Sequence, residues 1–197
     1  MHDLKTIRTF LALPLSEQIT RQLGEIQSVL GRRCPHRSVR WVDPERIHLT
    51  LFFLGDIVPE LRPQVEEALG VVARNVAPFT FEVEGLGAFP RMSRPRVLWV
   101  GIEEPTQRLA LLHQAVNDAM EAVGFERETR PFSPHLTLGR VRRRASRRDV
   151  QQVSEVAQET KVGRLGAVPV SEMIFFRSIL KSTGAEYIPL ETFALGG

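Results

Sequence analysis

Apolar and polar positions along the chain follow two different periods, so the sequence predicts both helices and strands. Helical spacing of apolar residues predicts helices over residues 17–30, 61–76, 109–123 and 146–159. Short apolar or alternating runs predict strands over residues 8–15, 39–42, 47–54, 79–88, 96–102, 134–141, 168–179 and 185–193. Ser16 and the Ser146–Asp149 pair are typical helix N-caps, whereas Gly55 and Gly124 are expected to end a strand and a helix.

This order of elements indicates the fold class. Strands outnumber helices and occur in adjacent runs as well as in alternation with helices, which favours an α+β fold with mainly antiparallel sheets. Neither G-x-G-x-x-G nor G-x-x-x-x-G-K-[ST] occurs, so a phosphate-binding loop of either type is not expected. Because no Pro/Gly/Ser-rich linker interrupts the 197 residues, we expect one domain over residues 1–197.

Composition and cysteine count exclude several classes of protein. With 43% apolar and 25% charged residues, the chain has a globular rather than a disordered composition. No apolar run approaches the roughly 18–20 residues of a membrane span, and the first eight residues lack a signal-peptide core. A soluble, cytoplasmic protein without membrane contact is expected, with a monomer as the default. The single Cys34 excludes an internal disulfide, and its spacing to His36 does not support a zinc site, so no metal or cofactor is expected.

The basic residues are mostly arginine, which supplies 23 of the 26. A planar guanidinium suits bidentate contacts with phosphate, so a polyanionic partner is one explanation, and the codon usage of the source organism is another. The most basic run, residues 140–148 (RVRRRASRR), allows two interpretations: contacts with RNA phosphates, or a solvated loop between a strand and a helix.

The tetrapeptide His-Leu-Thr-Leu occurs twice, at residues 48–51 and 135–138, and both copies lie in predicted strands. Side chains alternate across a strand, so in each copy His and Thr share one face and the two leucines share the other. If helices cover the leucine faces, two imidazoles and two hydroxyls can line one groove. The alternative is a pair of amphipathic strands with surface histidines, although the chain has only five His in all.

These residue types suit a particular chemistry. Imidazole titrates near pH 6.5, so one His can accept a proton while the other donates one. Thr50 and Thr137 do not titrate usefully, but their hydroxyls can donate to a phosphoryl oxygen and stabilise the charge that grows in the transition state. Together, His48, His135 and the two threonines fit in-line cleavage of a phosphoester by general acid–base catalysis. A cyclic phosphodiester is the natural substrate, because ring strain lowers the barrier without a metal.

The repeated motif and its flanks resemble the two-histidine phosphoesterases, and within them the LigT-like RNA 2′,3′-cyclic phosphodiesterases. That family carries His-x-Thr-x twice, with an apolar second x. The resemblance covers most of the chain in order, through RTFLALPL, VRWVDPERIHLTLFFLG, RVLWVGI and RPFSPHLTLGR.

The resemblance implies a bilobal α+β fold, with one sheet in each lobe, helices on the outer faces and a catalytic cleft between the lobes. It implies metal-free hydrolysis of a terminal 2′,3′-cyclic phosphate on RNA or a nucleotide to a 2′-phosphate, with reversible 2′–5′ RNA joining as a further activity. By analogy, His48 protonates the leaving oxygen, His135 activates water, and Thr50 and Thr137 hold the phosphate.

Two flanking residues, Arg130 and Phe132, also match the family's second segment and are candidates for contacting phosphate and a base. The structural alternatives are an ion pair for Arg130 and a core position for Phe132. Trp41 is interpreted as a packing residue, and His113 as a helix-boundary residue. A noncatalytic nucleotide- or RNA-binding module using the same cleft is the competing function, and the presence of both motif histidines favours the enzyme.

Overall fold

The computed structural model describes residues 6–181 and 184–197. Its strands are β1 (Ile7–Leu13), β2 (Val39–Trp41), β3 (Leu49–Ile57), β4 (Phe79–Phe89), β5 (Val97–Glu103), β6 (His135–Val141), β7 (Arg164–Val170), β8 (Glu172–Lys181) and β9 (Gly184–Ala194). Its helices are α1 (Glu17–Arg33), α2 (Arg62–Arg74), α3 (Arg108–Val123) and α4 (Arg147–Glu159). His2 lies outside the described residues.

The strands form two sheets, which confirms the α+β prediction. Sheet A has the order β3-β1-β8-β9, and sheet B has the order β2-β6-β5-β4-β7. Within the described ranges, every strand pairing is antiparallel. The first HLTL segment leads into β3 at an edge of sheet A, and the second begins β6 in sheet B. Each sheet therefore carries one copy.

Helices cover the apolar face of each sheet. Helix α3 packs against β3, with α2 beside it against β8 and β9, whereas α1 packs against β7 and α4. The leucines of both HLTL segments are buried in this core: Leu49, Leu51, Leu136 and Leu138. The strand faces that carry the histidines and threonines consequently point away from the helices, as the alternation in the sequence predicts.

The helix caps agree with the sequence. The Ser16 hydroxyl accepts a hydrogen bond from the backbone N–H of Ile19, and Ser146 and Asp149 form a reciprocal capping box at the start of α4. Gly124 ends α3 with a φ of 105°, a left-handed conformation that glycine adopts without steric cost.

Two strand predictions were wrong. The expected end of a strand at Gly55 lies inside β3, because Gly55 has a φ of 76°, which accommodates a bulge opposite Thr9, and the strand continues to Ile57. The expected single strand over residues 168–179 is divided at Ser171 into β7 and β8, which belong to different sheets. The apolar run continues across this division because both strands face the core.

None of the helices among residues 6–181 and 184–197 combines the length and apolar character that a membrane crossing requires.

Candidate active site

His48 lies directly before β3, at the end of a short 3-10 turn over Pro44–Arg46. Its Nδ1 is 2.8 Å from the carbonyl oxygen of Arg46. The imidazole stacks on Phe10 of β1, with ring centroids 4.8 Å apart, and contacts Tyr187 of β9 edge-on at 5.1 Å. Two aromatic rings and one carbonyl therefore fix the position of the imidazole on sheet A.

His135 is the first residue of β6 and is held in the same way. Its Nδ1 is 2.8 Å from the carbonyl oxygen of Ser133. Phe89 of β4 contacts the ring edge-on at 4.8 Å, and Trp99 of β5 lies 6.2 Å away. The Trp99 ring lies directly over Gly87, where an added Cβ would be 2.1 Å from the indole.

The two histidines share a hydrogen-bond pattern that fixes the tautomer. A carbonyl oxygen can only accept a hydrogen bond, so Nδ1 is the protonated nitrogen in both rings. In the neutral state, Nε2 of His48 and Nε2 of His135 each carry a free lone pair. Each Nε2 can therefore take a proton from a ligand, or return one after protonation.

The pKa values of both imidazoles are lowered. Burial lowers the pKa of His48 from 6.5 to about 4, and the hydrogen bond to the Arg46 carbonyl opposes this change. Burial also lowers the pKa of His135; the Ser133 carbonyl raises it, and the charge of Arg140 lowers it further. Both rings are therefore neutral at pH 7 in the free protein.

The two threonines of the repeated segments lie on the same faces as the histidines. Thr50 is half-buried on β3 opposite Ala12, and Thr137 is half-buried on β6 opposite Trp99. Within the part of the chain that the structure describes, neither hydroxyl has a hydrogen-bond partner. Both hydroxyls are thus available to a ligand.

A β-bulge adds Arg140 to the same face of sheet B. In the pairing of β5 with β6, Trp99 is opposite Thr137 but Leu98 is opposite Gly139, so Leu138 is the extra residue. An extra residue reverses the alternation of side chains beyond it. Arg140 therefore shares a face with His135 and Thr137, although simple alternation places it on the other side.

A buried amide connects the two HLTL segments. Gln27 of α1 donates from Nε2 to the carbonyl oxygens of Val42, at 2.6 Å, and Leu138, at 2.8 Å. The backbone N–H of Val42 also donates to the Leu138 carbonyl, at 2.9 Å. The chain leading to His48 is thereby attached to the strand that carries His135.

A cavity lined by residues of both sheets lies beside the His48 site. The cavity has a volume of about 820 Å³ and is lined by Arg40 and Arg140 from sheet B, Arg46 before β3, and Tyr187 from sheet A. Neither histidine lines this cavity, but Tyr187 contacts His48, and Arg140 lies on the face of β6 that carries His135. The cavity therefore adjoins both the His48 site and the strand that carries His135.

Arg130 and Phe132, the two flanking candidates, lie outside this cavity lining. Arg130 is strongly exposed and forms a two-point ion pair with Glu128, at 2.8 and 3.2 Å. The half-buried ring of Phe132 stacks on His113 of α3, with centroids 3.9 Å apart. A role for either residue in substrate binding stays a prediction.

The structure adds aromatic residues that the sequence analysis did not select. Phe10 and Tyr187 form the walls of the His48 site, although they are distant from it in the chain. Burial raises the pKa of the Tyr187 phenol, so its hydroxyl stays protonated at neutral pH and can donate to an anion. The one available signal was that Tyr187 is the single tyrosine in the sequence.

Across residues 6–181 and 184–197, no group of three or more His, Cys, Asp or Glu side chains is arranged to hold a metal ion. The expectation of metal-free chemistry stays a prediction.

Comparisons with known proteins point to one family. The family model described as LigT like Phosphoesterase matches the chain twice, at residues 13–99 and 100–185, so each match contains one HLTL segment. A curated RNA 2′,3′-cyclic phosphodiesterase of Methanothermobacter thermautotrophicus is 32% identical over 189 residues, with 96% of this chain and 99% of the relative covered. One from Thermus thermophilus is 34% identical over 195 residues, with 97% and 91% covered.

Solved structures show the same fold. The protein TT0787 of Thermus thermophilus superimposes with a TM-score of 0.77 at 31% identity, covering 97% of this chain and 99% of that one. Escherichia coli LigT, solved with 3′-AMP, gives a TM-score of 0.76 at 24% identity, covering 98% and 100%. With two matches to one family model and full-length relatives above 30% identity, this chain belongs to the LigT-like phosphoesterase family.

Proposed function

We propose that this chain is an RNA 2′,3′-cyclic phosphodiesterase that opens the cyclic phosphate by general acid–base catalysis and leaves a 2′-phosphate. The observation that carries the proposal is the matched pair of imidazoles. His48, on sheet A, and His135, on sheet B, each donate from Nδ1 to the carbonyl two residues earlier and keep Nε2 free. Curated full-length relatives with this activity favour the enzyme over the noncatalytic binding module.

In this mechanism, Nε2 of His135 takes a proton from water as the water oxygen attacks phosphorus. The bond between phosphorus and the 3′ oxygen breaks, and Nε2–H of His48 supplies the proton for that oxygen. The products are a 3′ hydroxyl and a 2′-phosphate monoester. Proton exchange with solvent then returns His135 to the neutral form, and His48 is protonated again when the next substrate anion binds.

The assignment of roles follows the resemblance to the family and must account for the charges around the two rings. The Arg140 guanidinium disfavours protonation of His135, which keeps this ring in the basic form. Burial lowers the pKa of His48 to about 4 in the free protein, so its role as the acid requires a bound phosphodiester anion, which raises the pKa of a nearby imidazole. The hydroxyls of Thr50 and Thr137 hold the nonbridging oxygens.

The test uses a nucleoside 2′,3′-cyclic phosphate with EDTA present throughout. We expect 2′-monophosphate as the product and at least about a 10²-fold lower kcat in His48→Ala and in His135→Ala. The double variant should lose little beyond the weaker single one, because the pair acts as a unit. Thr50→Val and Thr137→Val should be affected less. Near-parental turnover in either histidine variant, or tight binding without turnover in the parent, contradicts the proposal.

Three features of the sequence analysis stay predictions: reverse 2′–5′ joining, a monomeric state and a cytoplasmic location. In joining, a 5′ hydroxyl takes the place of water: His135 accepts its proton, the bond between phosphorus and the 3′ oxygen breaks, and His48 protonates that oxygen, whereas cleavage of the 2′–5′ bond exchanges the two roles. Incubation of RNA ends with a 5′ hydroxyl and a cyclic phosphate tests it, and size-exclusion chromatography tests the monomer.

A further inference from the structure

Two arginines lie opposite each other on the face of sheet B that carries His135. Arg40 of β2 and Arg140 of β6 are direct partners in the antiparallel register. Like charges in this position repel each other and destabilise the sheet. Among the ion pairs of residues 6–181 and 184–197, neither guanidinium has a carboxylate partner. The pair is therefore a site where an anion relieves repulsion.

The same two arginines connect two cavities. On one side they line the cavity of about 820 Å³ that reaches Arg46 and Tyr187 beside His48. On the other side they line a second cavity, of about 920 Å³, whose remaining charged residues are all arginines: Arg96, Arg142, Arg143 and Arg144. We call the surface formed by Arg40, Arg140 and these four residues the arginine track.

Space at the first cavity is kept open by a glycine. A Cβ on Gly184 would lie 3.3 Å from Nη1 of Arg46 and 3.6 Å from Nη2 of Arg40. The two guanidiniums thus converge on one point at the start of β9, where no side chain fills the space. Arg46 also donates to the Ala185 carbonyl at 2.9 Å, which fixes its position.

We propose that the arginine track binds the RNA chain on the 5′ side of the cyclic end. Arg40 and Arg140 hold the first phosphodiester that precedes the cyclic phosphate, and Arg96 with Arg142, Arg143 and Arg144 hold the following ones. This inference rests on the proposed function, since the cyclic phosphate at the histidines sets where the strand enters.

The chemistry of the track favours a single strand of nucleic acid over other polyanions. A groove of guanidiniums suits successive phosphates, because each fork can contact two oxygens. The track also begins on the strand that carries one of the two reacting groups, since Arg140 and His135 lie on the same face of β6. A substrate held at its end by the histidines must pass over Arg40 and Arg140 if it leaves along this face.

The experiment compares substrates of different length. Steady-state kinetics are measured with a nucleoside 2′,3′-cyclic phosphate and with oligoribonucleotides of two, four and eight residues that end in a cyclic phosphate. For the parent protein we expect KM to fall about tenfold or more from the nucleoside to the tetramer. This advantage should decrease with salt, since binding of single strands releases counterions.

Two variants test the track, and one serves as a control. The length advantage is the fall in KM from the nucleoside to the longer substrates. Arg40→Gln should remove most of this fall for the dimer and for every longer substrate. The triple substitution Arg142→Gln, Arg143→Gln, Arg144→Gln should remove only the further fall in KM beyond the dimer. Arg40 is preferred to Arg140, because Arg140 also lowers the pKa of His135. Arg74→Gln on α2 makes the same charge change at an exposed position away from both cavities and should keep the advantage.

Each outcome is distinct from failure of the proposed function. If the parent hydrolyses the nucleoside substrate but shows the same KM for every length, the track is refuted and the activity stands. The same holds if Arg40→Gln and Arg74→Gln change the length advantage equally. Inhibition by heparin without any length advantage assigns the track to another polyanion and also overturns the inference.

Discussion

The buried amide of Gln27 gives a prediction whose size follows from the structure. Its Nε2 group donates to the Val42 and Leu138 carbonyls, which belong to the two parts of the chain that carry the histidines. Gln27→Leu removes both donors and keeps a residue of similar helix propensity. The variant therefore tests whether this amide holds the two parts of the site together.

The two lost hydrogen bonds are worth about 1 kcal/mol each. The Leu138 carbonyl keeps the N–H of Val42 as a donor, whereas the Val42 carbonyl loses its bond from Gln27, which adds about 1 kcal/mol or more for a buried group left unpaired. The free energy of unfolding should therefore fall by about 3 kcal/mol. For a chain of this size, the Tm should fall by roughly 6–12 °C.

Gln22 provides a matched control on the same helix. Its buried Oε1 has no hydrogen-bond partner in the described part of the chain, so Gln22→Leu removes no bond of that oxygen. Urea unfolding of both variants should show a clear loss for Gln27→Leu and no loss, or a gain, for Gln22→Leu. kcat/KM should fall only in Gln27→Leu, because the bulge at Leu138 positions Arg140. Equal unfolding free energies in the two variants refute the reasoning.

Two further predictions concern the histidines. The folded-state pKa of His48 lies below its unfolded value, so its contribution to stability is present above pH 6.5 and is lost as the pH falls towards about 4. The loss of unfolding free energy is about 3 kcal/mol. Between pH 7 and pH 4, the urea midpoint of the His48→Asn variant should therefore fall less than that of the parent protein. Midpoints that fall in parallel for the two proteins would contradict the lowered pKa of His48. Gly87→Ala places a Cβ 2.1 Å from the Trp99 ring, so the indole must move. Because the indole lies beside His135, its displacement should shift the imidazole and lower kcat about tenfold or more. Gly163→Ala, with open space around it, is the control, and equal rates would show that Trp99 does not support the site.

Local patterns in the sequence predicted much of the fold and the strand faces on which the candidate site residues lie. The buried leucines and the polar partners of the HLTL segments follow from alternation within one strand. Alternation does not predict the face of β6 on which Arg140 lies, because the extra residue at Leu138 reverses the alternation. Only the pairing of β6 with β5 reveals this extra residue. The division at Ser171 is similarly hidden, since Pro169 lies within β7 and the apolar pattern continues past the point where the chain changes sheets.

Contacts between residues that are distant in sequence were the other features of the structure that the sequence did not predict. The position of Tyr187 beside His48 depends on two neighbouring pairings, β8 with β1 and β8 with β9. No local pattern encodes such a contact. Phe132 shows the same limit, because its stacking partner His113 belongs to a helix on the other side of a loop.

The strand orders of the two sheets show that the two matched halves are interlocked. In sheet A, the strand next to the β3-β1 pair is β8, which belongs to the second half of the chain. In sheet B, the strand next to the β6-β5 pair is β4, which belongs to the first half. A fragment ending near residue 99 would lack both β8 and β9 of sheet A and would carry β4 without a complete neighbouring strand. Each imidazole is consequently held by a sheet to which both halves of the chain contribute strands, so the halves cannot separate without breaking a sheet.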